Sequence, residues 1–255
     1  MKIVTFNLRC EWRGDGQNAF IHRAGLIYEK VMAERPSVIA FQEVIPASLE
    51  VLRRLFPEYE FFGGMRTERL DGEGLYTALR REDVTLLGGD VFWLSPTPYV
   101  VGSRFENQSI FPRVGVYTRF AYKATGEIFH LFNLHLDYLS PEAAESGLTC
   151  TLGYIRDRRG CVDTDKTIIL GDFNITPKSS ALSPLSGVEW LYDATEGIAS
   201  TFHDFGRRAD GDDMKIDYIF LSEAMRDRVS AVTPWQDEHA GIYLSDHYPV
   251  CVEMN

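Results

Sequence analysis

The stretch TIILGDFN at residues 167–174 runs an apolar strand directly into a turn that carries an acid and an amide. Side chains alternate between the two faces of a strand, so Asp172 and Asn174 are expected to point the same way at the strand end. Asp and Asn are also frequent in ordinary turns because they bond their own backbone, so this stretch alone does not separate a turn from a site. The other strands of the chain decide between the two interpretations.

Polar side chains stand at one end of five further predicted strands, which are otherwise mostly apolar. They are carboxylates, carboxamides and imidazoles, and they comprise Asn7, Gln42, Glu43, His135, Asp217, Asp246 and His247. Scattered solvated residues would not repeat this pattern, whereas one metal and phosphate site at the rim of packed sheets would require it. The repetition therefore favours an active-site edge.

The composition is that of a globular protein with one large core. The chain has 255 residues, 45% of them hydrophobic, and no shift in composition divides it, so we predict a single domain over residues 1–255. The net charge of −11 disfavours a protein that holds nucleic acid mainly through a broad basic surface. A bound divalent cation would offset part of this charge, and a local basic rim is compatible with it.

The cysteines and the N-terminus bear on the compartment. Cys10, Cys150, Cys161 and Cys251 are far apart and form no C-x-x-C pair, which argues against a zinc or redox motif and predicts reduced core thiols. A strand follows Met1 almost at once, without an apolar stretch long enough for a signal peptide or a membrane span. We therefore expect a cytoplasmic protein with no membrane span, and nothing in the sequence implies an obligate protein partner.

Short β-rich runs dominate the chain. Helices are predicted at residues 22–34 and 47–56, where apolar residues recur at helical spacing, and a third is predicted to begin with Ser140 as cap and Pro141 in the first turn. Residues 63–74, 95–112 and 203–215 are predicted loops beside the strand ends. Strands are predicted at residues 3–8, 38–42, 59–62, 75–80, 84–87, 114–122, 128–134, 167–170, 216–221 and 248–253. This order predicts an α/β fold of two mixed β-sheets packed face to face with helices outside.

The acids and the histidines suggest individual roles. Mg²⁺ takes one or two carboxylates plus waters and substrate phosphate, and Glu43 fits this best, with Asp246 as a second candidate. His247 could be a general base, a phosphate contact or a core histidine satisfied by the backbone. Asp217 could accept its ring N–H and fix its tautomer, which favours a functional role.

Three further features concern the substrate. His135 alternates with two leucines, so we expect it on a face opposite the core, pointing into a polar cleft. Arg113 could grip a phosphate oxygen or be an ordinary rim arginine. A nuclease would need a groove lined by basic and aromatic residues, whereas a small-molecule or lipid phosphoesterase would have a closed or apolar pocket. Candidates for the groove, which could equally form a solvated loop face, are Arg66, Arg69, Arg104 and Phe105.

Six motifs in this order resemble the endonuclease/exonuclease/phosphatase superfamily over essentially the whole chain. They are Asn7, Gln42-Glu43, Asn133-Leu134-His135, Gly171-Asp172-Phe173-Asn174, Ile216-Asp217-Tyr218 and Ser245-Asp246-His247. Phe111-Pro112-Arg113 and Thr201-Phe202-His203 are similar to the branch that contains small bacterial members and the poly(A) deadenylases. The resemblance implies a four-layer α/β/β/α sandwich and Mg²⁺- or Mn²⁺-dependent hydrolysis of a phosphoester by in-line attack of water.

The resemblance also implies roles for single residues. Glu43 would hold the metal with help from Asn7 and Asp246, and Asp172 would orient or deprotonate the water.

Around the phosphorus, the resemblance implies four further roles. Asn174 and His135 would stabilise the charge that develops there. His247, oriented by Asp217, would serve as base or phosphate ligand. Metal activation of water and fixed donors around the phosphorus would then contribute most of the catalysis.

Two departures from the family pattern concern the leaving group. Leu134 stands where Thr is frequent, and Tyr138 stands where members of this branch often carry His. The substrate therefore stays open among nucleic acid, a nucleotide, a sugar phosphate and a lipid headgroup. A binding module that holds a phosphate or lipid headgroup without turnover is the alternative, although such modules usually lose a catalytic residue and every one is present here.

Overall fold

A computed structural model of the chain describes residues 1–11, 13–158, 162–208 and 214–255. It contains two six-stranded sheets. Both are mixed, because each has one parallel pair of neighbouring strands while its other pairs are antiparallel. The first sheet contains, in spatial order, β11 (Val229–Pro234), β14 (Val250–Met254), β1 (Lys2–Asn7), β2 (Val38–Val44), β4 (Gly74–Arg80) and β3 (Tyr59–Met65). The second contains β5 (Val84–Trp93), β6 (Val114–Tyr122), β7 (Ile128–His135), β8 (Thr167–Asp172), β10 (Asp217–Ser222) and β9 (Leu191–Asp193). A short ribbon pairs β12 (Glu238–His239) with β13 (Ile242–Tyr243).

Helices cover the outer face of each sheet. The helices α1 (Phe20–Glu34) and α2 (Pro46–Leu55) share a core cluster with the first sheet, and α3 (Pro141–Asp157) and α4 (Ser183–Ser186) share one with the second. The predicted cap of α3 is confirmed, because the Ser140 hydroxyl accepts the Ala143 N–H at 3.1 Å. The architecture is therefore the predicted four-layer α/β/β/α sandwich.

The layer between the sheets is built by strand alternation. Odd positions of β1 face the second sheet, where Ile3 packs with Leu131 and Leu170, while even positions such as Val4 pack under the helices. Strands that pack against the other sheet on one face and against helices on the other are thus apolar on both faces for most of their length. A polar side chain between the sheets stands out against this background.

Truncating a side chain at the centre of the layer between the sheets should destabilise the protein. Leu170 is fully buried between the sheets, so Leu170→Ala is expected to lower the free energy of unfolding by about 2–5 kcal/mol through lost burial and a residual cavity. Urea unfolding measures the loss. Leu87→Ala, at a leucine that is 43% exposed on the same sheet, is the matched control and should stay within about 0.5 kcal/mol. Equal losses in the two variants would contradict this description of the core.

Some predicted boundaries are wrong. The loop predicted at residues 63–74 begins only after Met65, because β3 continues through two glycines, and β5 extends six residues beyond its predicted end at residue 87. The strands β9, β11, β12 and β13 were not predicted, because they are short or carry exposed positions on both faces. Part of the loop predicted at residues 203–215 lies outside the described residues.

The cysteine prediction is correct in part. The described thiols are free, but only Cys251 is buried, whereas Cys10 and Cys150 are half-buried. Cys161 lies outside the described residues. In the described ranges, no helix has both the length and the apolar character needed to cross a bilayer.

Candidate active site

The polar residues predicted from strand ends meet where the layer between the sheets opens. His135, Asp172 and Asp217 are register partners on β7, β8 and β10, so they lie side by side on the second sheet. From the first sheet, the Asn7 amide Nδ2 donates to Asp172 Oδ2 at 2.9 Å. One carboxamide thus joins the ends of the two sheets.

A buried amide pair lies directly inside this edge. Gln42 Nε2 donates to Asn133 Oδ1 at 2.8 Å, and Asn133 Nδ2 donates to the Phe41 carbonyl at 3.1 Å. Both side chains are fully buried, so these bonds satisfy groups that would otherwise destabilise the core. They also fix the distance between β2 and β7 beneath the site.

Glu43 reaches the site through a bulge in β2. Since Gln42 already faces the second sheet, simple alternation would turn Glu43 toward the helices. The register of β2 against β4 shifts between Phe41 and Val44, and Glu43 has a left-handed φ of 57°. A bulge of this kind re-aims a side chain, and the strained conformation of a non-glycine residue is typical of functional positions.

The Glu43 carboxylate is held by two donors. Asn7 Nδ2 lies 3.1 Å from Oε1, and the Cys10 backbone N–H donates to Oε2 at 2.8 Å. Burial opposes ionisation, but the pKa of Glu43 is lowered to about 2. A charge on His135 would contribute most to this lowering, but that ring is neutral. We therefore attribute the direction to the two hydrogen bonds and to the positive charge of His247.

Asp172 is the centre of the cluster. Besides Asn7, the backbone N–H of Asn174 donates to its Oδ1 at 2.9 Å, and His135 Nε2 lies 3.5 Å from Oδ2. Burial raises the pKa of Asp172 to about 7, against the lowering effect of the charge on His247. This carboxyl can therefore take up and release a proton near neutral pH.

The turn after β8 depends on two unusual backbone conformations. Gly171 has a φ of 141°, and a Cβ there would lie 1.9 Å from the Leu134 carbonyl oxygen, so only glycine fits. Asn174 is left-handed with a φ of 54°, and its side chain Nδ2 donates to the Leu136 carbonyl at 3.2 Å. Since β8 ends at Asp172 and Asn174 is left-handed, strand alternation does not extend to Asn174, and its predicted place beside Asp172 in the site stays a prediction.

His247 and Asp217 form a buried ion pair. The ring Nδ1 lies 2.8 Å from Asp217 Oδ2, which leaves Nε2 facing Asp172 Oδ2 at 3.9 Å. Burial opposes the charged ring, but the carboxylates of Asp217 and Asp172 raise the pKa of His247 to about 10. His247 is thus an imidazolium at neutral pH rather than a backbone-satisfied core histidine.

The Thr201-Phe202-His203 motif holds this pair in place. Thr201 Oγ1 accepts the backbone N–H of Asp217 at 3.0 Å, and the Phe202 ring packs against His247 with centroids 4.9 Å apart. The His203 N–H donates to the carbonyl of Asp246 at 3.0 Å. The motif therefore helps to orient Asp217, Asp246 and His247 within the cluster.

His135 is buried, and its predicted surroundings need correction. The face that it shares with Asn133 is the face between the sheets, not one opposite the core, because the apolar layer lies on both sides of β7. Asn133 is consequently covered, and only His135, at the strand end, reaches the cluster. Burial and the charge of Arg113 lower the pKa of His135 well below its usual range, so this ring is neutral.

Asp246 lies at the edge of the polar cluster, next to Arg9. Its Oδ1 accepts the Ser245 hydroxyl at 3.1 Å, and its Oδ2 is 3.5 Å from Arg9 Nη1. Arg9 also pairs with Asp15 at 3.2 Å. Burial raises the pKa of Asp246, with a further contribution from the negative charge of Glu43. Arg9 and Asp15 carry no strand-end signal, so the sequence pattern does not predict their place at the site.

Two arginines line a small cavity that reaches His135. Arg66 is bonded by both Nη atoms to Glu73, at 2.7 and 2.9 Å, and Arg113 lies nearby with its Nε 3.7 Å from Asp137. Glu73 was also missed, although ligand atoms of Glu43, Glu73 and His135 lie within 4.8 Å of one another. The site therefore has a basic wall next to its acidic centre.

Of the four candidates for a basic groove, one lies at the site, and a groove formed with the others stays a prediction. Arg66 is buried at the site, but Arg69 and Arg104 are exposed. Phe105 lines a separate cavity beside α3. The four-layer sandwich and the polar cluster between its sheets nevertheless define the class of protein that the sequence motifs resemble.

The chain belongs to the endonuclease/exonuclease/phosphatase family, whose sequence model matches residues 4–247. An endonuclease/exonuclease/phosphatase from Bacteroides vulgatus has a similar structure, with a TM-score of 0.88 and 27% identity over 100% of this chain and 98% of that chain. No curated protein matches the chain at a significant level.

More distant structures share the fold. A mannosyl-6-phosphatase from Bacteroides thetaiotaomicron is 24% identical over 100% of this chain and 99% of that chain, with a TM-score of 0.87. TDP2 from D. rerio, in complex with a single-strand DNA product, is 19% identical over 100% of this chain and 98% of that chain, with a TM-score of 0.72. At these identities the likeness concerns the fold alone.

Proposed function

We propose that this protein is a divalent-cation-dependent phosphoesterase in which water attacks phosphorus in line with the leaving group. The observation that carries the proposal is the meeting of Glu43, Asp172 and His247, from distant parts of the chain, at one opening between the sheets. Membership of the family supports the phosphoesterase class.

The residues present fit Mg²⁺ or Mn²⁺. Burial raises the pKa of both Asp172 and Asp246, which indicates negative charge that the protein itself does not fully neutralise. Carboxylate oxygens are the ligands that such hard cations prefer. Glu43 and Asp246 would hold the ion, which when bound lowers the pKa of a water and polarises a phosphoryl oxygen.

Asn7 was predicted as a third ligand, and its contacts support a further role. Its Nδ2 donates to both Glu43 and Asp172, while its Oδ1 accepts the Arg9 N–H at 2.9 Å. In this arrangement Asn7 keeps two like charges at a fixed separation. Direct ligation by its amide oxygen stays a prediction.

Proton transfer is assigned to Asp172. Burial holds the pKa of Asp172 above its usual range, which suits a general base, and hydrogen bonds from Asn7 and Asn174 fix the orientation of its carboxylate. His247 keeps its proton under these conditions, so its imidazolium suits contact with phosphate oxygens better than abstraction of a proton. Neutral His135 and the amide of Asn174 would donate to the charge that develops on phosphorus.

Arg113 is assigned to a phosphate oxygen. Arg113→Ala is expected to lower kcat/KM by roughly 10- to 100-fold, because a hydrogen bond to a charged group contributes about 1.5–3 kcal/mol. Steady-state kinetics on an aryl phosphoester measures the loss, and Arg113→Lys should restore only part of it. Arg104→Ala, at an exposed arginine of the same loop, is the control and should match wild type. A wild-type rate for Arg113→Ala would contradict the assignment.

A substrate panel tests the proposed function. Protein supplied with Mg²⁺ or Mn²⁺ is incubated with single-stranded RNA and DNA, abasic duplex, sugar phosphates and phospholipids. We expect cation-dependent release of phosphate or of a phosphorylated product from at least one class. Tight binding of a ligand with no hydrolysis under either cation would instead support a binding module.

A further inference from the structure

Two exposed aromatic rings stand at the mouth of the site. Phe111 is 40% exposed and Tyr138 is 52% exposed. Each packs one face on a buried arginine: Arg66 lies 4.6 Å from the Phe111 centroid, and Arg113 lies 5.6 Å from the Tyr138 centroid. The two arginines line the same cavity as His135, so the rings lie one side chain away from the candidate phosphate site.

The rings belong to an apolar rim that includes their neighbours in the sequence. Ile110 precedes Phe111, Leu139 follows Tyr138, and both side chains are exposed. The two loops that carry this rim also carry Arg113 and Asp137. Exposed apolar side chains concentrated at the edge of a polar site mark a surface that a ligand covers.

A buried positive charge lies directly beneath the rim. Arg113 is only 4% exposed, and its Nε has no hydrogen-bond partner. The nearest carboxylate, Asp137, is already used, since it accepts from Ser109, Leu139 and Ser140. A buried guanidinium donor without a partner is costly, and an anionic oxygen would satisfy it. The occupant should therefore be anionic and should carry an apolar surface beside the anion.

We propose that Phe111 and Tyr138 form a stacking platform for the leaving group, and that the preferred substrates are phosphoesters of nucleosides. This inference rests on the proposed function. Each ring is pinned from below by a guanidinium and keeps a free planar face, which suits a nucleobase, since bases stack on aromatic rings without hydrogen-bond readout. A sugar phosphate without a base would leave the two rings exposed to water.

A matched substrate pair isolates the contribution of the base. A nucleoside 5′-phosphate and ribose 5-phosphate share the same reacting ester, and the methyl diesters of both extend the comparison to a diesterase. We expect wild type to favour the nucleoside member by roughly 5- to 100-fold in kcat/KM, since stacking contributes about 1–3 kcal/mol per base. Phe111→Ala and Tyr138→Ala should each reduce this ratio, and the double variant should bring it close to one.

Three further variants separate stacking from general effects. Tyr138→Phe should keep the ratio, whereas Phe111→Leu, which is apolar but not planar, should reduce it as Phe111→Ala does. Tyr99→Ala is the matched control, because Tyr99 is also exposed and also packs on an arginine, Arg158, but lines a different cavity. Far-UV circular dichroism reports whether each variant is folded. The ratio of the two rates removes any effect on the arginines beneath the rings, because both esters share it.

The outcomes distinguish the inference from the proposed function. Equal kcat/KM for both members of the pair in wild type, or a ratio that the platform variants leave unchanged, would overturn the platform and leave the phosphoesterase intact. Hydrolysis of a generic aryl ester but of neither member of the pair would also overturn it. If no phosphoester is hydrolysed with any cation, the proposed function fails, and the inference fails with it.

Discussion

Replacing His247 with alanine is expected to lower kcat for an aryl phosphodiester by roughly 10²- to 10³-fold, the usual range for removing one donor to the charge that develops in the transition state. The physical reason is the removal of a buried positive charge from beside Asp172, where the phosphate would lie. Initial rates at saturating Mg²⁺ measure the effect. An unchanged rate would contradict the placement of His247 in the reaction.

Asp217→Asn distinguishes charge from packing at the same position. Asp217 acts through His247, so the loss should be smaller, about 10- to 100-fold, as for other residues that orient a functional group. The Asp217 charge raises the pKa of His247, so the amide lowers it. The protonated ring of His247 is the active form, so activity is lost as pH rises through the pKa of His247. In Asp217→Asn this loss should begin at lower pH than in wild type. A profile that moves to higher pH would contradict this role.

Replacing Glu43 with glutamine is expected to have the second large effect. The change removes one negative charge from the cation site while keeping nearly the same shape. It also keeps one of two hydrogen bonds, because Asn7 donates to one carboxylate oxygen and Cys10 to the other. Because cation stabilisation of the transition state contributes several kcal/mol, kcat/KM should fall by at least roughly 10³-fold. The Mg²⁺ concentration for half-maximal rate should rise. Rates measured against Mg²⁺ concentration give both quantities.

The neighbouring acid Glu73 provides the control. It lies close to Glu43 and His135, but both of its oxygens are bonded to Arg66. Glu73→Gln should therefore leave the Mg²⁺ requirement near that of wild type. If Glu73→Gln raised the Mg²⁺ requirement as much as Glu43→Gln, the assignment of the cation to Glu43 and Asp246 would be wrong.

Strand alternation explains why much of the site could be predicted. Asn7, His135 and Asp172 end, and Asp217 begins, the face of a strand that lies between the sheets. The neighbouring residues on that face are mainly apolar. A period of two and a change from apolar to polar are both visible in the sequence. Strand pairing then brings these residues together, because one end of each of these strands lies at the same edge of its sheet.

Other parts of the site leave no such signal. Glu43 was selected for its residue type, but the bulge that turns it into the site is a property of pairing between β2 and β4, which alternation does not predict. The contacts of Arg66, Glu73 and Arg113 join two loops that are distant in the sequence. Arg9 and Asp15 meet across a turn without periodicity. Loop contacts of this kind depend on tertiary packing, which a single sequence does not specify locally.

The cation requirement tests the central claim most directly. Protein stripped with excess EDTA and then passed into cation-free buffer is assayed on an aryl phosphodiester before and after addition of Mg²⁺ or Mn²⁺. The convergence of Glu43, Asp172 and Asp246 predicts no measurable hydrolysis without a cation and full recovery with one. Full activity in excess EDTA would contradict the account.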